Sequence, residues 1–464
     1  MNSTRRTSIL SVLASTGLFL AVAGCATESE APAEVDSDAV AVPTDDTARG
    51  TTEEPAHEGH DHEDETHEGH GHDHKDETHD HEGHDHEDHE DARPTTEAAG
   101  PSPRLGVTYD GGVLVLDAYT LDVEADLPAE GFLRLNPAGD GRHFLLTDSD
   151  GFRVLDAGTW SVPHGNHDHS YTTEPLLTDH VFEADHPGHV VTHGDTTVLF
   201  ADGTGEIQTF TSDDLSPSAL PETEQLSAAE AHHGVAVRLE DGSTLLTVGT
   251  QEARTGAIVQ DADGTEIARS EDCPGVHGET VAAEEVVALG CEDGVLLYRD
   301  GEFVKVRAEA AYARSGNLAG HEASPYVLGD YKTDPDADLE RPTQVVLIDT
   351  VEATSQVVDL PASYSFRSLA RGPEGEALVL GTDGILRTLD PATGEVTAQT
   401  EVVDAWEEPE DWQRPRPTLH VRGEFAYVTE PATQELHVVD LAEQTVIDTA
   451  PLPVVPNELT SVTG

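Results

Sequence analysis

A chain of 464 residues is long enough for one large repeat domain or two ordinary ones. Its 92 acidic residues against 24 basic ones give a formal net charge of −68, which repels phosphate backbones and excludes nucleic acid as a partner. The same charge attracts cations, although acidic secreted proteins reach a similar balance without binding any metal.

Residues 1–25 read as an export signal. Arg5 and Arg6 form a positive start, an apolar stretch runs from Ile9 to Ala21, and Val22-Ala23-Gly24-Cys25 resembles a lipoprotein cleavage box in which Cys25 is lipidated. An ordinary signal peptide with a chance cysteine is the alternative. The apolar stretch is short for a membrane span. The acyl chains of a bacterial lipoprotein would tether the mature protein to the outer face of the cell membrane.

Residues 26–102 have almost no aromatic or large aliphatic side chains, so they cannot bury enough apolar surface to offset chain entropy and are predicted to be a disordered acidic linker. Within it lie twelve histidines: His57, His60, His62, His67, His70, His72, His74, His79, His81, His84, His86 and His89. Imidazoles interleaved with carboxylates are nitrogen and oxygen ligands suited to Zn²⁺. In a flexible chain each binding event carries an ordering cost, so several weak, interchangeable sites are expected. A solvated spacer is the plain alternative.

From 103 to 464 short apolar or alternating runs recur between Gly, Asp and Pro turns, as at Val113-Leu114-Val115-Leu116, Phe152-Arg153-Val154-Leu155 and Leu436-His437-Val438-Val439; these read as strands. His189, His233, His277 and His321 fall 44 residues apart, three intervals running, each at or just before a strand start. A period of this length with several short strands per unit predicts an all-β protein, a β-propeller, with roughly eight blades and seven as the alternative. Closure is expected through pairing of Glu458–Val462 with Arg104–Thr108, which leaves no long free edge. Cys273 and Cys291 form an even pair in an oxidising compartment, so a disulfide is the default, with a thiolate metal ligand as the alternative.

Equivalent positions in successive blades share one end of the central channel. His189, His233, His277 and His321 are therefore expected to form an arc of imidazoles at one mouth. Pro163-His164-Gly165-Asn166-His167-Asp168-His169 is a loop that would bring His164, His167 and His169 over it. His232 adjoins the arc, and Glu279, two residues after His277, adds a carboxylate on the same strand face. Three or four of these ligands suit tetrahedral zinc, with Asp168 or Glu322 as orienting partners. Surface or capping histidines at blade starts are the alternative. A single methionine and scarce thiols disfavour Cu(I), imidazoles disfavour Ca²⁺, and Cu(II) and Ni(II) stay chemically possible. No Gly-x-Ser-x-Gly elbow or His-Glu-x-x-His helix is present, so a non-enzymatic role is expected.

His164-Gly165-Asn166-His167-Asp168-His169, His186-Pro187-Gly188-His189, His232-His233-Gly234-Val235-Ala236-Val237, and Cys273-Pro274-Gly275-Val276-His277-Gly278-Glu279 followed by Gly290-Cys291-Glu292-Asp293-Gly294 resemble the AztD-type zinc metallochaperones of bacteria. The resemblance spans about 164–294. It implies a β-propeller that carries zinc to the solute-binding protein of an ABC zinc importer, with loop and inner-strand histidines as ligands, and it strengthens the expectation of a Cys273–Cys291 bridge. The lipobox, the His-rich linker and Arg134, where another histidine would be sought, depart from that pattern. A propeller enzyme (a lyase or oxidoreductase) and a passive extracellular metal buffer are the competing functions.

Overall fold

A computed structural model describes residues 93–464; Cys25 and the linker histidines, among them His60, His62, His70, His72, His74, His79, His81, His84 and His86, lie outside the described residues. The described chain forms eight four-stranded antiparallel sheets and one three-stranded sheet. Six of the eight use four consecutive strands, so a local meander builds each one. The first strands of these sheets are Arg134–Pro137, Pro187–His193, Ala236–Arg238, His277–Ala282, Leu318–Ala319, Leu369–Arg371, Leu419–Arg422 and Leu459–Val462. Consecutive first strands adjoin one another, as in the run from Leu318–Ala319 through Leu459–Val462 to Arg134–Pro137. This is the β-propeller expected from the repeat.

The sheet that closes the ring joins the two ends of the domain. Leu459–Val462 pairs antiparallel with Arg104–Tyr109 in the register Arg104↔Val462, Leu105↔Ser461, Gly106↔Thr460 and Val107↔Leu459. Leu114 and Leu116 pack toward Tyr427, Leu436 and Val438 of the preceding sheet, while Val113 and Val115 pack toward Phe144, Leu146 and Leu155 of the next. Alternate side chains of one strand thus serve two neighbours, which is why the run is apolar throughout rather than alternating. Fourth strands such as Val123–Pro128, Thr354–Asp359 and Val396–Glu401 are mostly exposed and polar, as an outer rim requires.

Within the stretch before 103 that composition reads as linker, Thr96–Ala98 is a strand. It adds a third strand to the hairpin Thr159–His164/His167–Thr172, and Arg93 pairs with the buried carboxylate of Asp156. Backbone pairing, which depends little on side-chain hydrophobicity, captures this polar stretch. The hairpin itself interrupts a sheet, lying between its third strand Gly151–Asp156 and its outer strand Leu176–Glu183.

Cys273 and Cys291 are disulfide-bonded, Cα atoms 5.0 Å apart and 18 positions apart in sequence. The bridge ties the segment entering His277–Ala282 to the end of its partner strand Val286–Cys291. Closing a loop of this length contributes about 3 kcal/mol through the unfolded chain.

Candidate metal centre

His189, His233 and His277 converge, with one nitrogen of each within 4.8 Å of the others. His189 and His277 lie in the opening residues of their first strands and His233 stands just ahead of Ala236–Arg238, in three consecutive sheets, so the 44-residue repeat places them at one end of the ring. Two of those strands are distorted there. The pairing steps from Pro187↔Ala201 to Val190↔Leu199 around His189, and from His277↔Gly290 to Glu279↔Leu289 at Gly278. Bulges of this kind re-aim a side chain out of the pleat. Gly278 has φ +68, and a Cβ on it would meet the Gly316 carbonyl oxygen at 2.4 Å, so glycine is required there.

Each imidazole is held from behind. His189 Nδ1 lies 2.9 Å from the Gly234 carbonyl oxygen and His277 Nδ1 2.8 Å from that of Gly316, so in both rings the Nδ1–H donates. His233 Nδ1 lies 2.5 Å from Asp202 Oδ2, whose second oxygen accepts the Gly234 amide at 3.3 Å. Fixing the proton on Nδ1 leaves the Nε2 lone pair for a metal, and a carboxylate behind one imidazole is the usual outer-sphere partner of a zinc ligand. His233 Nε2 is 3.0 Å from His277 Nε2, and His189 Nε2 is buried without any protein partner. Tetrahedral zinc with bonds of about 2.0–2.1 Å would hold neighbouring donors roughly 3.3 Å apart, close to this spacing. Three protein nitrogens leave one coordination position open.

Burial, reinforced by the charges of His233 and Arg134, holds the His189 imidazolium well below its ordinary pKa. Burial acts first on His277 too, with His233 and Arg314 adding to it. Both rings are thus neutral and ready to bind a cation without first losing a proton.

Asp202 stands in an Asp202-Gly203 dipeptide, which in a sequence signals only a turn. Its position rests on Gly188, where a Cβ would come within 2.2 Å of Asp202 Oδ1. Asp202→Asn is expected to lower zinc affinity 10–100-fold with the fold intact, measured by competition against a chromophoric chelator; an unchanged affinity would mean that His233 needs no anionic support.

The other expected residues are placed elsewhere. His232 is buried with both nitrogens engaged, Nδ1 with the Glu230 carbonyl and Nε2 with Thr247 Oγ1 at 3.0 Å. His321 follows the short strand Leu318–Ala319 and accepts the Ala323 amide on its Nδ1, outside the cluster. The register step at Gly278 puts His277 and Glu279 at successive ladder positions, hence on opposite faces, which corrects the shared face expected from simple alternation. Burial raises the Glu279 carboxyl to about 8.

The loop histidines form a group of their own. His164 and His167 face each other across the Gly165–Asn166 turn, and His169 shares their face. His169 Nε2 is 3.2 Å from both His164 Nδ1 and His167 Nε2, and His169 Nδ1 meets Glu97 Oε1 at 2.8 Å. These rings are largely exposed. Glu97, not Asp168 or Glu322, supplies the orienting carboxylate, and it comes from the strand just after the His-rich linker.

No protein-family model matches the chain. A zinc chaperone of Citrobacter koseri, AztD, is 26% identical over 344 residues, covering 71% of this chain and 78% of that protein. The chain is similar to AztD over most of its length. Its fold is shared with the crystal structure of Citrobacter koseri AztD, at a TM-score of 0.67, 22% identity and coverage of 79% of this chain and 99% of that one. The apo AztD structure from the same organism gives a TM-score of 0.66 with the same identity and coverage.

Proposed function

We propose that the protein is a zinc metallochaperone that captures Zn²⁺ outside the cytoplasm and delivers it to the solute-binding protein of an ABC zinc importer. The observation that carries this reading is the cluster of His189, His233 and His277, each tethered at Nδ1 and sharing a centre. Likeness to a protein named a zinc chaperone supports it. In this scheme the linker histidines gather metal weakly, the exposed His164, His167 and His169 hold it at the surface, and the pore triad retains it. The open coordination position lets an acceptor ligand enter before the donor ligands leave, as a carrier requires. Cys25 would tether the chain to the outer face of the membrane, near the importer. The acidic surface favours an acceptor whose docking patch is neutral or basic.

Zinc-loaded full-length protein mixed with apo solute-binding protein tests the scheme. Transfer faster than zinc dissociates to a chelator is expected, falling on His167→Ala and on His233→Ala. Deletion of the linker histidines should lower stoichiometry while direct transfer persists. Transfer no faster than free dissociation would reduce the protein to a passive buffer.

A further inference from the structure

On the last complete meander, Phe425–Glu430 and Glu435–Asp440 form a hairpin in which Glu430 directly opposes Glu435, and His437 lies two residues further along. All three side chains therefore share one face of the sheet. That face also carries Val428 and Val439, which pack on Leu378 and Leu380 of the preceding sheet and on Val402 just after its last strand, so the group sits where two sheets meet. One ligand atom from each of Glu430, Glu435 and His437 lies within 4.8 Å of the other two, and Glu430 and His437 are buried.

Two carboxylates directly opposite on an antiparallel ladder repel, more so when one is buried. Among the described residues no lysine or arginine pairs with either. Glu430 is instead fixed by neutral donors: the Asp404 amide to Oε1 at 3.1 Å and the Thr433 hydroxyl to Oε2 at 3.0 Å. His437 Nδ1 is 3.1 Å from Thr449 Oγ1, while its Nε2 faces Glu430 Oε2 at 3.2 Å. Behind the imidazole stands an oxygen able to take the Nδ1 proton, as behind each ring of the His189, His233 and His277 cluster, and in front of it lie two carboxylates.

We propose that Glu430, Glu435 and His437 form a further divalent-cation site, separate from the two imidazole groups. Two carboxylate oxygens and one nitrogen make it harder than an all-imidazole site, so it suits Mn²⁺ as well as Zn²⁺. Bound cation would replace the carboxylate repulsion with attraction and pin the hairpin to the 402–406 segment through Asp404.

Hydrogen exchange of the full-length protein, resolved by peptide, with and without Mn²⁺ or Zn²⁺, separates this site from the others. At ten times the dissociation constant, amides of 425–440 and of the 402–406 segment should exchange about tenfold more slowly. Glu435→Gln, at a partly exposed position, should abolish that protection while peptides around His189, His233 and His277 respond to Zn²⁺ as before. Exchange at 425–440 that ignores both cations in the unaltered protein overturns the site, as does protection that survives in a Glu435→Gln, His437→Gln double variant. Neither result touches the zinc-carrier reading, which other peptides report.

Discussion

His189→Ala is expected to remove high-affinity zinc binding at the pore, with an affinity loss exceeding the 10–100-fold that an outer-sphere partner costs. Only His233 and His277 then remain, and two nitrogens hold zinc without the third side of its tetrahedron. The effect is readable as thermal stabilisation. At zinc a hundredfold above the dissociation constant, binding adds about 2.7 kcal/mol to the unaltered protein, and the variant should show almost none of it from this site. Without metal the two proteins should differ far less, because His189 Nε2 is already a buried nitrogen with no partner. Its removal forfeits one hydrogen bond, to the Gly234 carbonyl, and relieves an unsatisfied polar atom. Isothermal titration and melting curves with linker histidines deleted isolate the pore contribution. A zinc-dependent shift in melting temperature that survives His189→Ala undiminished would sink the pore triad as the holding site.

The spacing of His189, His233 and His277 was legible in the sequence because a repeat fold turns equal spacing into equal position. His321 keeps the spacing but not the place. Its sheet begins with only Leu318–Ala319, and the residues opposite His277 are Gly316 and Asn317, with the Gly316 carbonyl binding the His277 ring. A backbone acceptor there orients a ligand where a fourth ligand was expected. Asp202 was hidden because its Asp-Gly context serves turns throughout this chain, and only the packing of its carboxylate on Gly188 distinguishes it. Glu97 was hidden by composition, since it lies in a polar stretch whose order comes from backbone pairing with Ser170–Thr172. Glu430, Glu435 and His437 sit in a run that reads simply as a strand pair; their shared face follows from a register that no local pattern states.

Stability of the metal-free protein should peak at about pH 7, and the two arms of the profile have different owners. His189, His277 and His420 are held neutral by burial, His420 with a pKa of about 3, whereas each takes up a proton near 6.5 once unfolded. Below that pH the unfolded chain binds more protons, so stability falls as the solution is acidified. His232, lowered by burial as well, adds to the same arm. Glu279 acts in the opposite sense. Its buried carboxyl keeps a proton up to about 8, while the unfolded chain releases it near the ordinary glutamate value, so its contribution is lost as pH rises through that interval. Between about 4.5 and 7 the imidazole protons of the unfolded chain outnumber the single carboxyl proton of the fold and stability climbs with pH. Above about pH 7 the unfolded histidines have released most of their protons, Glu279 dominates the difference between the two states, and stability declines, by less than the roughly 1.4 kcal/mol per pH unit of one whole proton, until about pH 8. Glu279→Gln should flatten the alkaline arm and leave the acid arm in place. Denaturant midpoints measured from pH 4.5 to 8.5 in the presence of a chelator check both. A profile that keeps rising from about pH 7 to 8, or a decline unchanged by Glu279→Gln, would show that Glu279 is ionised in the folded propeller.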